Sequence, residues 1–177
     1  LRVKSLTEKK IDLDIKNFSK RPILLALDQV TDPQNVGAII RNALVMGCEG
    51  IIIPKKNSPQ ETGLLAKAAA GALDYINIYR VTNLTRTLND LKKNRFWVLG
   101  FEVGGKNELE NLNISGPLVI VVGSEGKGLR LLTKKVCDAS ISIDISKKAL
   151  KAGVDSLNVS NATSVALYAI NQLRKIS

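Results

Sequence analysis

Leu118-Val-Ile-Val-Val-Gly-Ser-Glu-Gly-Lys-Gly-Leu129 is the stretch that decides the fold. Its first half is an unbroken apolar run rich in β-branched residues, which reads as a strand buried on both faces, as inside a parallel sheet. Its second half sets Gly123, Gly126 and Gly128 in one short loop ahead of a helix. Glycines there permit positive φ and let a ligand approach the backbone, and open α/β sheets bind ligands outside the carboxyl ends of their strands. Two phosphate-binding patterns fail in this loop. A Walker loop needs four residues between its glycines and a Lys followed by Ser or Thr, whereas Lys127 is followed by Gly128. A dinucleotide fingerprint reads G-x-G-x-x-G, and this loop reads G-x-x-G-x-G, with Glu125 placed to repel a phosphate. From this segment alone, an unliganded glycine turn stays open.

Working outward, strands are expected at Ile23–Leu27, Gly50–Ile53, Tyr75–Val81, Arg95–Phe101 and Ile141–Ile145. Helices are expected at Val36–Met46, Pro59–Ala70, from the Asn83 cap to Lys93, Leu129–Lys135 and Val159–Arg174, with Gly47 and Gly71 closing the first two. Alternation of this kind predicts an α/β fold, a mainly parallel sheet with helices on both faces. Residues 1–20 are polar and Lys-rich and read as a linker or arm, leaving 21–177 as the domain proper. The stretch between Ile145 and the last helix reads as basic and irregular.

Composition narrows the function. The chain has 177 residues, 45% hydrophobic and 24% charged, enough for one globular domain with a real core. No apolar run approaches the roughly 20 residues that cross a bilayer. Lys and Arg number 26 against 16 acids, a net charge of +10, which suits a polyanionic partner or serves solubility alone. Cys48 and Cys137 lack CxxC spacing, so they read as reduced thiols of a cytoplasmic protein rather than a metal site. Histidine is absent, which removes Ser-His-Asp hydrolysis, Cys-His proteolysis and His-based metal centres.

Two further segments carry turn-forming and polar residues beside apolar runs: Asp32-Pro-Gln-Asn-Val-Gly-Ala-Ile-Ile-Arg41 and Ser156-Leu-Asn-Val-Ser-Asn-Ala-Thr-Ser164. Taken singly, Asn35 is explained by turn chemistry and Arg41 by solvation or a surface ion pair. The polar residues from Ser156 onward exceed what capping one helix requires, and the excess is available to line a pocket.

Together with Val122-Gly-Ser-Glu-Gly-Lys-Gly128, these segments resemble, in order and spacing, the motifs of the SpoU/TrmH family of RNA ribose 2'-O-methyltransferases. The likeness runs from about Pro22 to Lys175 and is nearest to the branch that methylates a guanosine ribose in large-subunit ribosomal RNA. It implies a SPOUT-type sheet whose C-terminal segment threads a deep trefoil knot, S-adenosylmethionine as cofactor, no metal, and a homodimer. By motif, Val122, Gly123, Gly128, Ile143 and Leu157 would hold the cofactor. Asn35, Arg41, Glu125, Asn158 and Ser160 would line the reaction site, with Arg41 gripping phosphate and stabilising alkoxide charge or acting as base. Structured RNA is the implied partner, ribosomal RNA ahead of transfer RNA, and the alternative is a non-catalytic RNA-binding module on the same fold. That branch often carries an N-terminal RNA-binding domain; Leu1 in place of Met fits a fragment, and the arm fits the end of a linker. One departure is plain: Asp144–Asp155 is longer and more basic than the family's short loop. Lys147, Lys148 and Lys151 are there either to meet phosphate or simply to be solvated.

Overall fold

The computed structural model describes residues 9–60, 62–103 and 114–176; residues 1–8 of the expected arm lie outside these. In chain order its elements are α1 (Ile11–Asp14), β1 (Ile23–Asp28), α2 (Pro33–Val45), β2 (Gly50–Pro54), α3 (Gly63–Ala69), β3 (Asn77–Val81), α4 (Leu84–Lys93), β4 (Trp97–Val103), β5 (Leu118–Gly123), α5 (Leu131–Val136), β6 (Ala139–Ile143), α6 (Lys147–Lys151) and α7 (Val159–Ile176). The strands form one six-stranded sheet in the order β3-β2-β1-β5-β4-β6. Every pairing is parallel. All carboxyl ends therefore share one edge, and Asp28, Gly123 and Phe101 are brought together there by register, Asp28 opposite Gly123 and Phe101 opposite Val122.

The alternation of side chains along each strand divides the core in two. Leu25, Leu27, Ile51, Ile53, Ile120 and Val122 point to one face, where they meet α2, α3 and α7. Leu24, Ala26, Ile52, Val98, Val119 and Val121 point to the other, where Leu84, Leu88 and Leu91 of α4 and Val136 of α5 cover them. Both faces of β1 and β5 are buried along their whole length, which is why those sequences show no polar alternation. Gly37 is where α2 and α3 touch: a Cβ there would lie 2.5 Å from that of Ala68.

Several boundaries differ from expectation for local reasons. The third helix begins at Gly63, not Pro59, because the Thr62 hydroxyl caps it by accepting from the Leu65 N–H. β4 starts at Trp97, not Arg95, since Arg95 has φ of 67° and cannot open a strand. β6 covers Ala139–Ile143 instead of Ile141–Ile145, in register with Leu99–Val103. The stretch expected to be irregular contains α6, capped by Ser146, whose Oγ accepts from the Ala149 N–H.

The arm is also more than a linker. Ile11, Ile15 and Phe18, at helical spacing, pack on the α4 face of the sheet. Phe18 stacks edge-on with Tyr79 and Phe96 at 6.2 Å. Tyr79, fully buried, donates its hydroxyl to Asp14 at 2.9 Å; burial and that bond push its pKa up. The other end of the chain is clamped by half-buried Arg174, which donates to the carbonyls of Arg21 at 2.6 Å and Ile114 at 3.0 Å. Desolvation lowers its pKa to about 10.

Candidate active site

β5 ends in a loop that folds back on itself. Ser124 N–H donates to the Gly128 carbonyl at 3.2 Å and Gly128 N–H returns to that of Ser124 at 2.9 Å. Gly126 and Gly128 take φ of 78° and 64°, the left-handed region glycine enters without penalty. Gly123 is bare for a different reason. A Cβ there would sit 2.2 Å from the Gly128 carbonyl carbon and 2.5 Å from the Leu129 nitrogen. What needs the missing side chain is the loop's own return path, where the sequence suggested the approach of a ligand.

The base of the loop is pinned by a residue that the sequence did not single out. Asp28, fully buried at the end of β1, accepts from Arg130 Nε at 2.6 Å and from the Arg130 backbone N–H at 2.9 Å. In sequence it is merely the acid that ends an apolar run; its partner is 102 residues away.

The separated motifs meet at Asn158, just before α7. Its Nδ2 donates to Asn35 Oδ1 at 2.9 Å and to Glu125 Oε1 at 3.3 Å. Its Oδ1 accepts from the Ser160 N–H at 2.9 Å and the Ser160 Oγ at 2.6 Å. Both ends of the amide are used, and the network itself fixes which way it faces. Asn35 is held by the start of α2, where the Asp32 carboxylate caps the helix through the Asn35 N–H at 2.9 Å. Asn42, about two turns further along α2, donates to the Ser160 carbonyl at 3.4 Å. So Asn35, Glu125, Asn158 and Ser160 form one hydrogen-bonded cluster.

Arg41 stands outside it. It is exposed and makes no hydrogen bond or ion pair among the described residues. Six residues of helix set it about 9 Å along the axis and about 120° around from Asn35. Its cation is therefore uncompensated at the surface of α2, beside the cluster rather than in it.

A cavity of about 200 Å³ opens between the loop and the segment leading into α7. Phe101, Val122, Leu157, Val159 and Ala162 give it an apolar wall, and residues 123–128 give it a backbone rim. Glu102 and Lys134 add a charged pair on the β4 side, 2.8 Å apart. Ser124, also lining the cavity, has a buried Oγ with no hydrogen-bond partner among the described residues. Such an atom costs about 1–3 kcal/mol if left unpaired, so the cavity carries a polar group in want of a ligand. Val122, Gly123, Gly128 and Leu157 thus line one space, whereas Ile143 ends β6 and packs against the core beside it.

Cys48 and Cys137 take no part. Both are free, and burial pushes each thiol up to about 12. Among the described residues no cluster of three His, Cys, Asp or Glu is placed to hold a metal, and no helix is long and apolar enough to cross a membrane.

Comparison with known proteins agrees with this geometry. Residues 22–168 match the model of the SpoU rRNA Methylase family. The 23S rRNA (guanosine-2'-O-)-methyltransferase RlmB of Shewanella oneidensis is 44% identical over 86% of this chain and 61% of its own length. The protein of the same name from Haemophilus influenzae is 42% identical over 97% of this chain and 68% of its own. The chain thus spans between three-fifths and about two-thirds of these relatives. Among solved structures, the SpoU methyltransferase AviRb from Streptomyces viridochromogenes, in complex with AdoMet, superposes with a TM-score of 0.80 at 25% identity, over 94% of this chain and 62% of that one. With a parallel sheet of the same kind, three motifs joined at Asn158 and most of its length matched, the chain belongs to the SpoU rRNA methylase family.

Proposed function

We propose that the chain transfers a methyl group from S-adenosylmethionine to the ribose 2'-hydroxyl of a guanosine in 23S ribosomal RNA. The observation that carries this reading is the Asn158 cluster, which gathers residues of all three motifs at the rim of the cavity. A pure RNA-binding module has no use for that arrangement. The guanosine and ribosomal assignments draw on the names of the relatives, and the net charge of +10 suits an RNA partner met in the cytoplasm. The terminal segment, from Ser156 into α7, is also the one we propose to be threaded as the family's trefoil knot.

The cavity fits the cofactor. Its apolar wall suits adenine, the rim at residues 123–128 offers backbone groups, and the Ser124 hydroxyl lacks a partner among the described residues. When bound, the cofactor supplies an electrophilic methyl group, so the protein must align the acceptor oxygen and manage its charge. Asn158 holds Glu125 and Asn35 in fixed relation for that purpose. The Ser160 hydroxyl is spent on Asn158, which makes Ser160 a positioning residue. Arg41, a cation without a counter-charge among the described residues, grips the neighbouring phosphate and stabilises charge developing on the ribose oxygen. A guanidinium is a poor proton acceptor, which favours this role over that of base. The exposed Lys147, Lys148 and Lys151 of α6 offer further cations for phosphate.

The test is methyl transfer from labelled S-adenosylmethionine to 23S RNA fragments. One methyl per acceptor is expected on native RNA. An RNA carrying a single 2'-deoxy substitution at the target should bind with similar affinity and accept none. Methylation of the deoxy substrate would place the product on a base and overturn the reading.

We also propose a homodimer built on α7. Of the apolar residues along α7, Ala166, Leu167 and Ile170 are in the core. What α7 leaves outside is Val165, 46% exposed, and Tyr168, 57% exposed, at adjacent turns. Val45, 73% exposed on the neighbouring α2, extends the patch. Light scattering at micromolar concentration should show a dimer, and Val165→Asp with Tyr168→Glu should shift it to a monomer. A monomeric wild-type protein sinks this proposal.

A further inference from the structure

The charged pair in the cavity wall belongs to none of the motifs. Glu102 lies near the carboxyl end of β4, its side chain 19% exposed, and its Oε1 accepts from Lys134 of α5 at 2.8 Å. Both residues line the cavity that Gly123 and Leu157 share. We infer that Glu102 is the acceptor for the ribose hydroxyls of the bound adenosyl cofactor, held in direction by Lys134; this rests on the cofactor reading given above.

The chemistry narrows the choice to this residue. A ribose diol presents adjacent O–H donors, and a carboxylate, with about four lone-pair sites, is the side chain that accepts both. In α/β nucleotide sites an acid near a strand end does the same work on a ribose hydroxyl. Among the described residues the cavity has three acids: Glu102, Glu125 and Asp155. Glu125 is engaged by Asn158 at the reaction rim. Asp155 is exposed on a loop and accepts from the Ser156 hydroxyl at 3.1 Å. Glu102 alone sits on a sheet strand, in parallel register with β6 through Ser142, and is mostly shielded from water. Lys134 occupies Oε1, and one cation leaves a carboxylate most of its acceptor sites. The pair also keeps an acid from facing an apolar wall unbalanced. A shielded acceptor left without its hydroxyl partner is penalised, which is how polar sites reject analogues lacking the matching group.

The experiment is calorimetric binding of S-adenosylhomocysteine and of its 2'-deoxy and 3'-deoxy analogues to the wild-type chain, Glu102→Gln and Glu102→Ala, each confirmed folded by circular dichroism. The wild type should prefer the ribose ligand by about tenfold or more over at least one deoxy analogue. Glu102→Ala should bind the ribose ligand about tenfold more weakly and discriminate less than twofold. Glu102→Gln, isosteric and expected to fold even if the alanine variant does not, should lose at least threefold of the discrimination. Unchanged discrimination in either folded variant overturns the assignment. So does a loss confined to S-adenosylmethionine and absent with the uncharged homocysteine form, which would give Glu102 to the sulfonium charge. A wild-type chain that binds neither cofactor form overturns the methyltransferase reading itself, an outcome distinct from tight binding without discrimination.

Discussion

Arg41→Ala is expected to slow methyl transfer about a hundred- to a thousand-fold, the roughly 2.7–4 kcal/mol that removal of one preorganised charge-stabilising group costs. Two features of the structure set this expectation. Arg41 has no counter-charge or hydrogen-bond acceptor among the described residues, so the native fold does not use it and its loss should leave stability nearly unchanged. It is also absent from the cavity lining, so affinity for S-adenosylmethionine should survive. The effect should then appear in the single-turnover rate on saturating RNA, with calorimetric cofactor affinity as the control. Arg41→Lys should recover little of it, because a point charge does not reproduce a two-pronged guanidinium grip on phosphate. Asn158→Ala differs in kind. It cuts four hydrogen bonds at once and should disturb Glu125, Asn35 and Ser160 together. Full activity in Arg41→Ala would refute the mechanism while leaving family membership intact.

What the sequence displayed and what it hid follow from the physics of each element. Strands such as Ile23–Asp28 and Leu118–Gly123 are legible because burial on both faces demands uninterrupted apolar side chains between turn residues. Helices with a buried stripe, such as α4 with Leu84, Leu88 and Leu91, are legible for the complementary reason. α6 was not: it buries no residue, its lysines are exposed, and only the Ser146 cap marks where it begins. The packed turn in the arm was hidden by its lysines, although the spacing of Ile11, Ile15 and Phe18 carries a helical signal. In the site, the sequence named Asn35, Glu125, Asn158 and Ser160 through likeness, but their convergence on one amide depends on contacts across as many as 123 residues. Asp28 left no trace, because a lone acid after a strand has the same appearance whether it faces water or anchors Arg130. Glu102 was invisible likewise, standing just past Phe101, where the strand was expected to end, although β4 runs on to Val103.

Gly123→Ala should abolish cofactor binding, by at least about a hundredfold, and destabilise the fold, whereas Gly126→Ala in the same loop should do neither to that degree. The two glycines differ in what a Cβ meets. At Gly126 nothing lies within 4 Å, so the cost is that of a positive φ, 78° in this chain, about 1–2 kcal/mol for a residue with a side chain. At Gly123 the new carbon would lie 2.2 Å from the backbone of Gly128, and no rotamer change relieves a clash with backbone. The loop must open, which breaks the paired Ser124–Gly128 hydrogen bonds, each contributing about 0.5–1.5 kcal/mol. Displacing Leu129 also drags Arg130 from Asp28, and stripping a buried charge of its partner costs about 3–5 kcal/mol. Gly123→Val enlarges the same overlap. Because the rim of the cavity is this very backbone, binding and stability should fall together at Gly123 and stay largely separate at Gly126. Denaturant midpoints read the first quantity and calorimetry with S-adenosylmethionine the second. A folded Gly123→Ala protein with unchanged affinity would remove the loop from the cofactor site.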